Sequence, residues 1–212
     1  MNNLYKDYGW KDPALSSHTH LLPTLLKAMT EFKIDKNDFI LDVGCGGGNV
    51  MNYLWSNDFK NIYGFDASES AIIIGKKNFP EISQRLFIHN AYEKILPVSL
   101  QYNFDTIYSL EVIEHFYDPY SYLQNISVWL KKKGLLIIST PYHGYFRNLI
   151  VALFNKSDRH FNPLWTGGHI KFFSKETLSK ILKETGFIPI KFYWSGRVPY
   201  LQTCMIVICK KL

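Results

Sequence analysis

Cysteine is scarce in this chain of 212 residues: there are three, at positions 45, 204 and 209. No two have the close spacing of a zinc or redox motif, and three thiols make no disulfide framework. The fold must therefore rest on a core, and a reducing compartment fits. Long apolar runs are missing too. Leu149 to Phe154, between Arg147 and Asn155, is six residues, far short of the roughly 20 needed to cross a bilayer. It reads as core packing or as a surface that touches a membrane or covers a greasy substrate. The start, Met1-Asn2-Asn3, lacks the basic-then-apolar layout of a secretion signal. These absences predict a cytoplasmic protein with no membrane span. Repeats, low-complexity tracts and linkers are also absent, which predicts one domain over 1–212.

Charge of one sign does not dominate. Lys and Arg number 24 against 18 Asp and Glu, a net charge of +6. The lysines are scattered, however, with Lys131-Lys132-Lys133 and Lys210-Lys211 at expected element ends, where cations suit a helix C-terminus or solvent. No basic stripe exists for a nucleic acid, so no nucleic-acid partner is expected; a weak pull toward acidic lipid or an anionic substrate remains.

What is present is a strand that breaks into glycines. Phe39-Ile40-Leu41-Asp42-Val43 is apolar, partly β-branched and followed by Gly44-Cys45-Gly46-Gly47-Gly48-Asn49. This predicts a buried parallel strand, then a turn that needs positive φ and brings bare backbone N–H groups to a ligand, then a helix N-terminus beside it. The third glycine of a dinucleotide fingerprint is missing, since Asn49 stands there. A second strand, 61–66, ends in Asp66, about 20 residues beyond the loop, where a carboxylate meets ribose hydroxyls in doubly wound folds. Strands at 86–89 and 104–110 end in Asn90-Ala91 and Glu111-Val112-Ile113-Glu114-His115. All four deliver polar residues to one sheet edge.

These stretches, together with Gly134-Leu135-Leu136-Ile137-Ile138-Ser139-Thr140-Pro141, resemble the class I S-adenosylmethionine-dependent methyltransferases. The resemblance runs from about Phe39 through Pro141 and continues more weakly to the C-terminus. It implies a Rossmann-like, doubly wound α/β sheet of seven strands, mostly parallel, with an antiparallel C-terminal strand. A helix at 174–185 closed by Gly186, then strands at 187–194 and 203–209 forming a hairpin, agree with that ending. The resemblance implies S-adenosyl-L-methionine as cofactor. Asp42, Gly44, Cys45 and Gly46 would then hold its methionine part and Asp66 both ribose hydroxyls. Asn90 would meet the adenine amino edge, where relatives often have Asp, with Ala67, Ala91 and Leu110 around the ring.

Glu111, Glu114 and His115 fall at i, i+3 and i+4 and would share one helical face. Such a face is either catalytic, as a general base or a divalent metal site, or structural, fixing the start of the next helix. Many relatives carry Glu-His here without a metal, so none is assigned. Residues 142–173 are long for an internal connection and predict a lid over the substrate. His143 and His169 within it are candidate bases or packed histidines, and the Gly167-Gly168-His169 stretch resembles ubiquinone-biosynthesis-type O-methyltransferases. Residues 1–33 would cap the cofactor or form an outer helix, with Pro23 confined to a first helical turn. Aromatics make up 16% of the chain and suit either an apolar acceptor pocket or ordinary packing. No Asn-Pro-Pro-Tyr signature of nitrogen methylation occurs. The readings are an O-methyltransferase of a small or lipophilic molecule, a nicotinamide-dependent oxidoreductase, or a non-catalytic cofactor-binding module; oligomeric state is not legible.

Overall fold

The structure is a computed structural model that describes residues 18–196 and 203–212. The aromatic-bearing segment before residue 18, half of the expected cap, lies outside the described residues. One seven-stranded sheet has the order β3-β2-β1-β4-β5-β7-β6, with β1 Ile40–Val43, β2 Ile62–Asp66, β3 Leu86–Ile88, β4 Phe104–Ser109, β5 Leu130–Pro141, β6 Phe187–Ser195 and β7 Cys204–Lys211. Pairing is parallel from β3 across to β5. Strand β7 runs antiparallel to both β5 and β6, so it alone is reversed, as the sequence predicts.

Alternation along the strands explains why both faces are covered. Leu41, Val43, Ile107, Leu136, Ile138 and Val207 pack on one side with α4 (Pro119–Trp129) and α7 (Lys175–Glu184). Ile40, Tyr108, Ile137, Ile206 and Ile208 pack on the other with α1 (His18–Glu31), α2 (Asn49–Ser56) and α3 (Glu69–Asn78). Burial on both faces is why the central strands read as continuous apolar runs rather than alternating ones. Each fully buried Leu or Ile here contributes about 1.5–3 kcal/mol.

Local chemistry sets the boundaries. Strand β1 begins one residue later than expected because the Phe39 N–H donates to Asp105 Oδ2 instead of joining the ladder. Helix α4 starts where Asp118 accepts from the Tyr120 and Ser121 N–H groups, with Pro119 in its first turn. Helix α7 opens with a capping box between Ser174 and Thr177. Pro23 is a correction: it lies inside α1, in the second turn, where its missing N–H costs a single intrahelical bond and Leu21, Leu25 and Ala28 still bury one face. The long 142–173 connection folds into two short helices, α5 (Tyr145–Leu153) and α6 (Ser157–Phe161), neither with a buried residue.

Candidate active site

Three adjacent parallel strands end level with one another. The pairings of Val43 with Phe65 and of Asp66 with Ile88 set Gly44, Asp66 and Asn90 along one edge. Gly44, Gly46 and Gly48 have φ of 79°, 52° and 77°, the left-handed region that favours glycine. Gly44 and Cys45 donate to the Phe65 carbonyl at 2.9 and 3.0 Å, while Gly46 donates to Asp66 Oδ2 and Ser68 to Asp66 Oδ1, both at 2.8 Å. The Asp66 carboxylate thus fastens the glycine loop to the start of α3. One expectation changes in its physical reason. A Cβ on Gly44 would lie 2.5 Å from Val112 Cγ2 and one on Gly48 3.1 Å from Leu86 Cδ2, so at these two positions the core demands glycine before any ligand does.

Asp42 is buried beneath the loop, and burial first, then the charge of Asp66, pushes its carboxyl well above the usual range. A buried acid beside a second acid is relieved by a positive charge, so the donor set suits a cationic cofactor that also carries ribose hydroxyls. Asn90 Oδ1 accepts from the Tyr92 N–H at 3.0 Å, which fixes the amide so that its NH2 stays available to donate. Ala91 is buried, its carbonyl held by Asn125 Nδ2 at 2.9 Å. Cys45 and Leu110 are buried and Ala67 is half-buried along the same edge.

Below β4 the expected helical face does not form. Glu111 takes φ 58° and only Ile113–His115 makes a helical turn, of the tighter 3₁₀ kind, so Glu111 turns away from Glu114. Its Oε1 accepts from Ser139 Oγ and from the Cys204 thiol, each at 2.9 Å, and its own N–H donates to Ser139. Instead of Glu111, His169 completes the cluster. Glu114, His115 and His169 each bring one ligand-type atom within 4.8 Å of the others. The fold arranges this because the Ile170 and Lys171 N–H groups both donate to the Glu114 carbonyl at 3.0 Å, pinning the 142–173 segment beside the turn.

Glu114 is fully buried and neither carboxyl oxygen has a hydrogen-bond partner. Burial, then the neighbouring Glu111, drives its pKa well above the ordinary value. His115 Nε2 and His169 Nε2 stand 4.0 and 3.9 Å from Glu114 Oε1, too far for hydrogen bonds. Burial also holds His115 below its usual pKa and brings His169 down to about 4, so these contacts are not ion pairs near neutral pH.

His143 lies apart from this triad. Its Nδ1 is 3.3 Å from His160 Nε2, its ring meets Phe161 and Phe172, and its Nε2 is buried without a partner. Burial lowers its pKa to about 4. His160, Ser139 and Cys204 carry no motif that assigns them to these contacts; Cys204 reaches Glu111 only through the antiparallel pairing of Pro141 with Cys204. A buried chain was equally invisible: the Tyr122 hydroxyl donates to Ser109 Oγ, which donates to the Val43 carbonyl, bracing β1 just before the glycine loop.

A glycine loop, an acid after β2 and a reversed β7 define a cofactor-binding α/β enzyme. A domain model described as a methyltransferase domain matches residues 17–191. The chain is 30% identical over 214 residues, 92% of its length and 76% of the relative's, to the mitochondrial ubiquinone biosynthesis O-methyltransferase of Schizosaccharomyces pombe. It is 23% identical over 164 residues, 77% of this chain and 68% of the relative, to the ubiquinone biosynthesis O-methyltransferase of Hydrogenovibrio crunogenus. Among solved structures, magnesium protoporphyrin IX methyltransferase from Synechocystis PCC 6803 with bound SAH (S-adenosylhomocysteine) superimposes with a TM-score of 0.72 at 15% identity, covering 99% of this chain and 91% of that one. A cyclase superimposes with a TM-score of 0.68 at 16% identity over 98% and 87%; these two likenesses carry the fold alone. The chain belongs to the methyltransferase-domain family and is an S-adenosylmethionine-dependent methyltransferase. That membership decides against the nicotinamide reading. Among the described residues no helix is long and apolar enough to cross a membrane.

Proposed function

We propose that this methyltransferase acts on the hydroxyl oxygen of a small lipophilic molecule, with His115 taking the hydroxyl proton. The observation that carries the reading is the state of His115. Its Nδ1 lies 2.8 Å from the Gly167 carbonyl oxygen, which can only accept, so Nδ1 bears the proton and Nε2 keeps its lone pair. That lone pair faces the Glu114 and His169 cluster at the end of β4, one strand from the glycine loop. Two relatives named O-methyltransferases and the apolar 142–173 segment support an oxygen acceptor with an apolar body.

S-adenosylmethionine supplies an electrophilic methyl group on a good leaving group. The chain's part is then positioning, exclusion of water and removal of one proton. The Gly44–Gly46 backbone, its N–H groups tied to Phe65 and Asp66, would pack against the methionine end, with the Asp42 carboxyl beneath it. Asp66 would meet the ribose hydroxyls with the same carboxylate that takes the Gly46 and Ser68 N–H groups. Asn90 Oδ1, with one lone pair left beyond its bond from the Tyr92 N–H, would accept from the adenine amino group, with Ala67, Ala91 and Leu110 beside it. Glu114, carrying its proton, would donate to the acceptor oxygen, and His169 and His143 are the further candidate contacts of the acceptor. Glu111 braces the start of β7 through Cys204 and does no chemistry. We read 1–212 as one catalytic domain with 1–33 as cap and 142–173 as lid, and the buried free thiols support work in a reducing cytoplasm.

A second reading rests on the donor set. One carboxylate and two neutral imidazoles within 4.8 Å fit a divalent cation, held by Glu114, His115 and His169, which would acidify the acceptor hydroxyl as a Lewis acid. The test is methyl transfer to matched phenols, amines and carbon acids, with products identified by mass spectrometry and the assays repeated after chelation. Methyl ethers are expected, and products methylated only on nitrogen or carbon overturn the proposal. Loss of turnover on chelation, restored by a divalent cation, favours the second reading for the proton.

A further inference from the structure

Two neighbouring hydroxyls of β4 have opposite fates. Ser109, on one face of the sheet, accepts from Tyr122 and donates to the Val43 carbonyl. Tyr108, on the other face, is 1% exposed, and its hydroxyl has no hydrogen-bond partner among the described residues. Buried hydroxyls are nearly always bonded, so one left over asks for a reason. Strand pairing sets Tyr108 opposite Asp42 of β1. Its ring is packed in one cluster with Leu25 of α1 and Met51 of α2, and its hydroxyl neighbours the Asp42 carboxyl beneath the glycine loop.

The other groups around Asp42 are already engaged. Cys45 Sγ donates to the Gly46 carbonyl at 3.6 Å, and the two Asp66 oxygens take the Gly46 and Ser68 N–H groups. Burial and the Asp42 charge push the Tyr108 hydroxyl well above its usual range, so it stays an O–H donor at any working pH. While Asp42 keeps its own proton, it has little need of that donor. A cation above the loop, such as the ammonium at the methionine end of the cofactor, favours release of that proton to solvent. The buried carboxylate then needs a donor, and Tyr108 is beside it. We propose that Tyr108 is a positioning residue of the cofactor site, donating to the ionised Asp42 and holding it under the methionine end. The inference rests on the reading that Asp42 lies beneath that end, and it is independent of which atom accepts the methyl group.

The test is calorimetric titration of Y108F, D42N and the double variant of the full chain with S-adenosylhomocysteine, beside thermal melts of each cofactor-free protein. Y108F should bind about tenfold more weakly, as expected for loss of a hydrogen bond to a charged group. The loss should be larger at pH 8 than at pH 6, where more of Asp42 keeps its proton. In the D42N background the same change should cost about twofold at most, because an amide carries no charge for Tyr108 to hold. Cofactor-free Y108F should melt no lower than the wild type, since it gives up a hydroxyl that bonds to no other residue there. A lower melting temperature makes the hydroxyl a structural bond of the free protein and overturns the proposal, as does an equal tenfold loss with and without the Asp42 carboxylate. Wild-type affinity in Y108F beside a weakened D42N overturns the role of Tyr108 alone. Wild-type affinity in D42N instead removes Asp42 from the methionine end, and the inference falls with that reading.

Discussion

His115 Nδ1 lies 2.8 Å from the carbonyl oxygen of Gly167, 52 residues further along the chain, and this one bond fixes which imidazole nitrogen faces Glu114. Burial lowers the His115 pKa, against the smaller opposing pull of the Gly167 and Gly168 carbonyls. The base form therefore persists below the ordinary imidazole value of about 6.5. The acid limb of kcat/KM should fall below that value, and H115Q should lose roughly 10²–10⁴-fold in kcat. A pH–rate profile checks both, and an acid limb at or above the ordinary value removes His115 as the base.

Glu114 sets stability against chemistry. A fully buried carboxyl without a hydrogen bond is costly once ionised. Its raised pKa means that the native state keeps a proton that the unfolded chain releases above the ordinary carboxylate value, so it subtracts stability as pH rises beyond that point. In metal-free protein E114Q should gain about 1–3 kcal/mol near neutral pH while losing turnover. Urea denaturation of both forms at pH 5 and pH 8 is the check: the gain must be larger at pH 8, and a loss at both values refutes this account.

For Asp66, D66A unties the Gly46 and Ser68 N–H groups and, on the proposed role, removes the acceptor of the ribose hydroxyls. Binding of S-adenosylhomocysteine should weaken by about 1–3 kcal/mol, or 5- to 150-fold. Calorimetric titration measures it directly, and unchanged affinity excludes Asp66 from the site.

The glycine-loop edge of the sheet was legible because it is local. A strand, a glycine turn and an acid about 20 residues on are set by backbone conformation and strand length, which a short window of sequence carries. The seven-stranded, mostly parallel sheet followed from the family resemblance and from apolar runs that suit a sheet buried on both faces. The cluster at the end of β4 was not legible because it is assembled across long separations. Glu114 meets His169 through backbone bonds to Ile170 and Lys171, and Glu111 meets Cys204 across an antiparallel register. The expectation of a shared helical face for 111, 114 and 115 failed at one residue: Glu111, at φ 58°, breaks the turn that spacing assumes.

Gly44 tests whether the loop's glycine serves the core or the ligand. G44A places a Cβ 2.5 Å from Val112 Cγ2 at φ 79°, so it should cost about 1–3 kcal/mol of stability from backbone strain alone, and more with the clash. Adding V112A removes the clash and leaves the strain. Partial recovery of the melting temperature in G44A/V112A is the expected result, and no recovery assigns the whole cost to φ.

His143 contributes to the acid side of the stability curve, beside His115, His160 and His169, whose pKa values burial also lowers. Its neighbours are His160, Arg147, Phe161 and Phe172, and burial, then the charges of His160 and Arg147, lowers its pKa to about 4. The unfolded chain binds a proton at this residue below about pH 6.5 while the native state does not, so more protons are bound unfolded than folded and stability rises with pH across that window. Its contribution is present above about 6.5 and is lost as pH falls toward 4. H143N, which cannot titrate, should flatten the plot of melting temperature against pH between those values and leave the alkaline side unchanged. An unaltered acid slope in H143N would mean that the histidine is protonated in the folded protein and that the clasp to His160 is open.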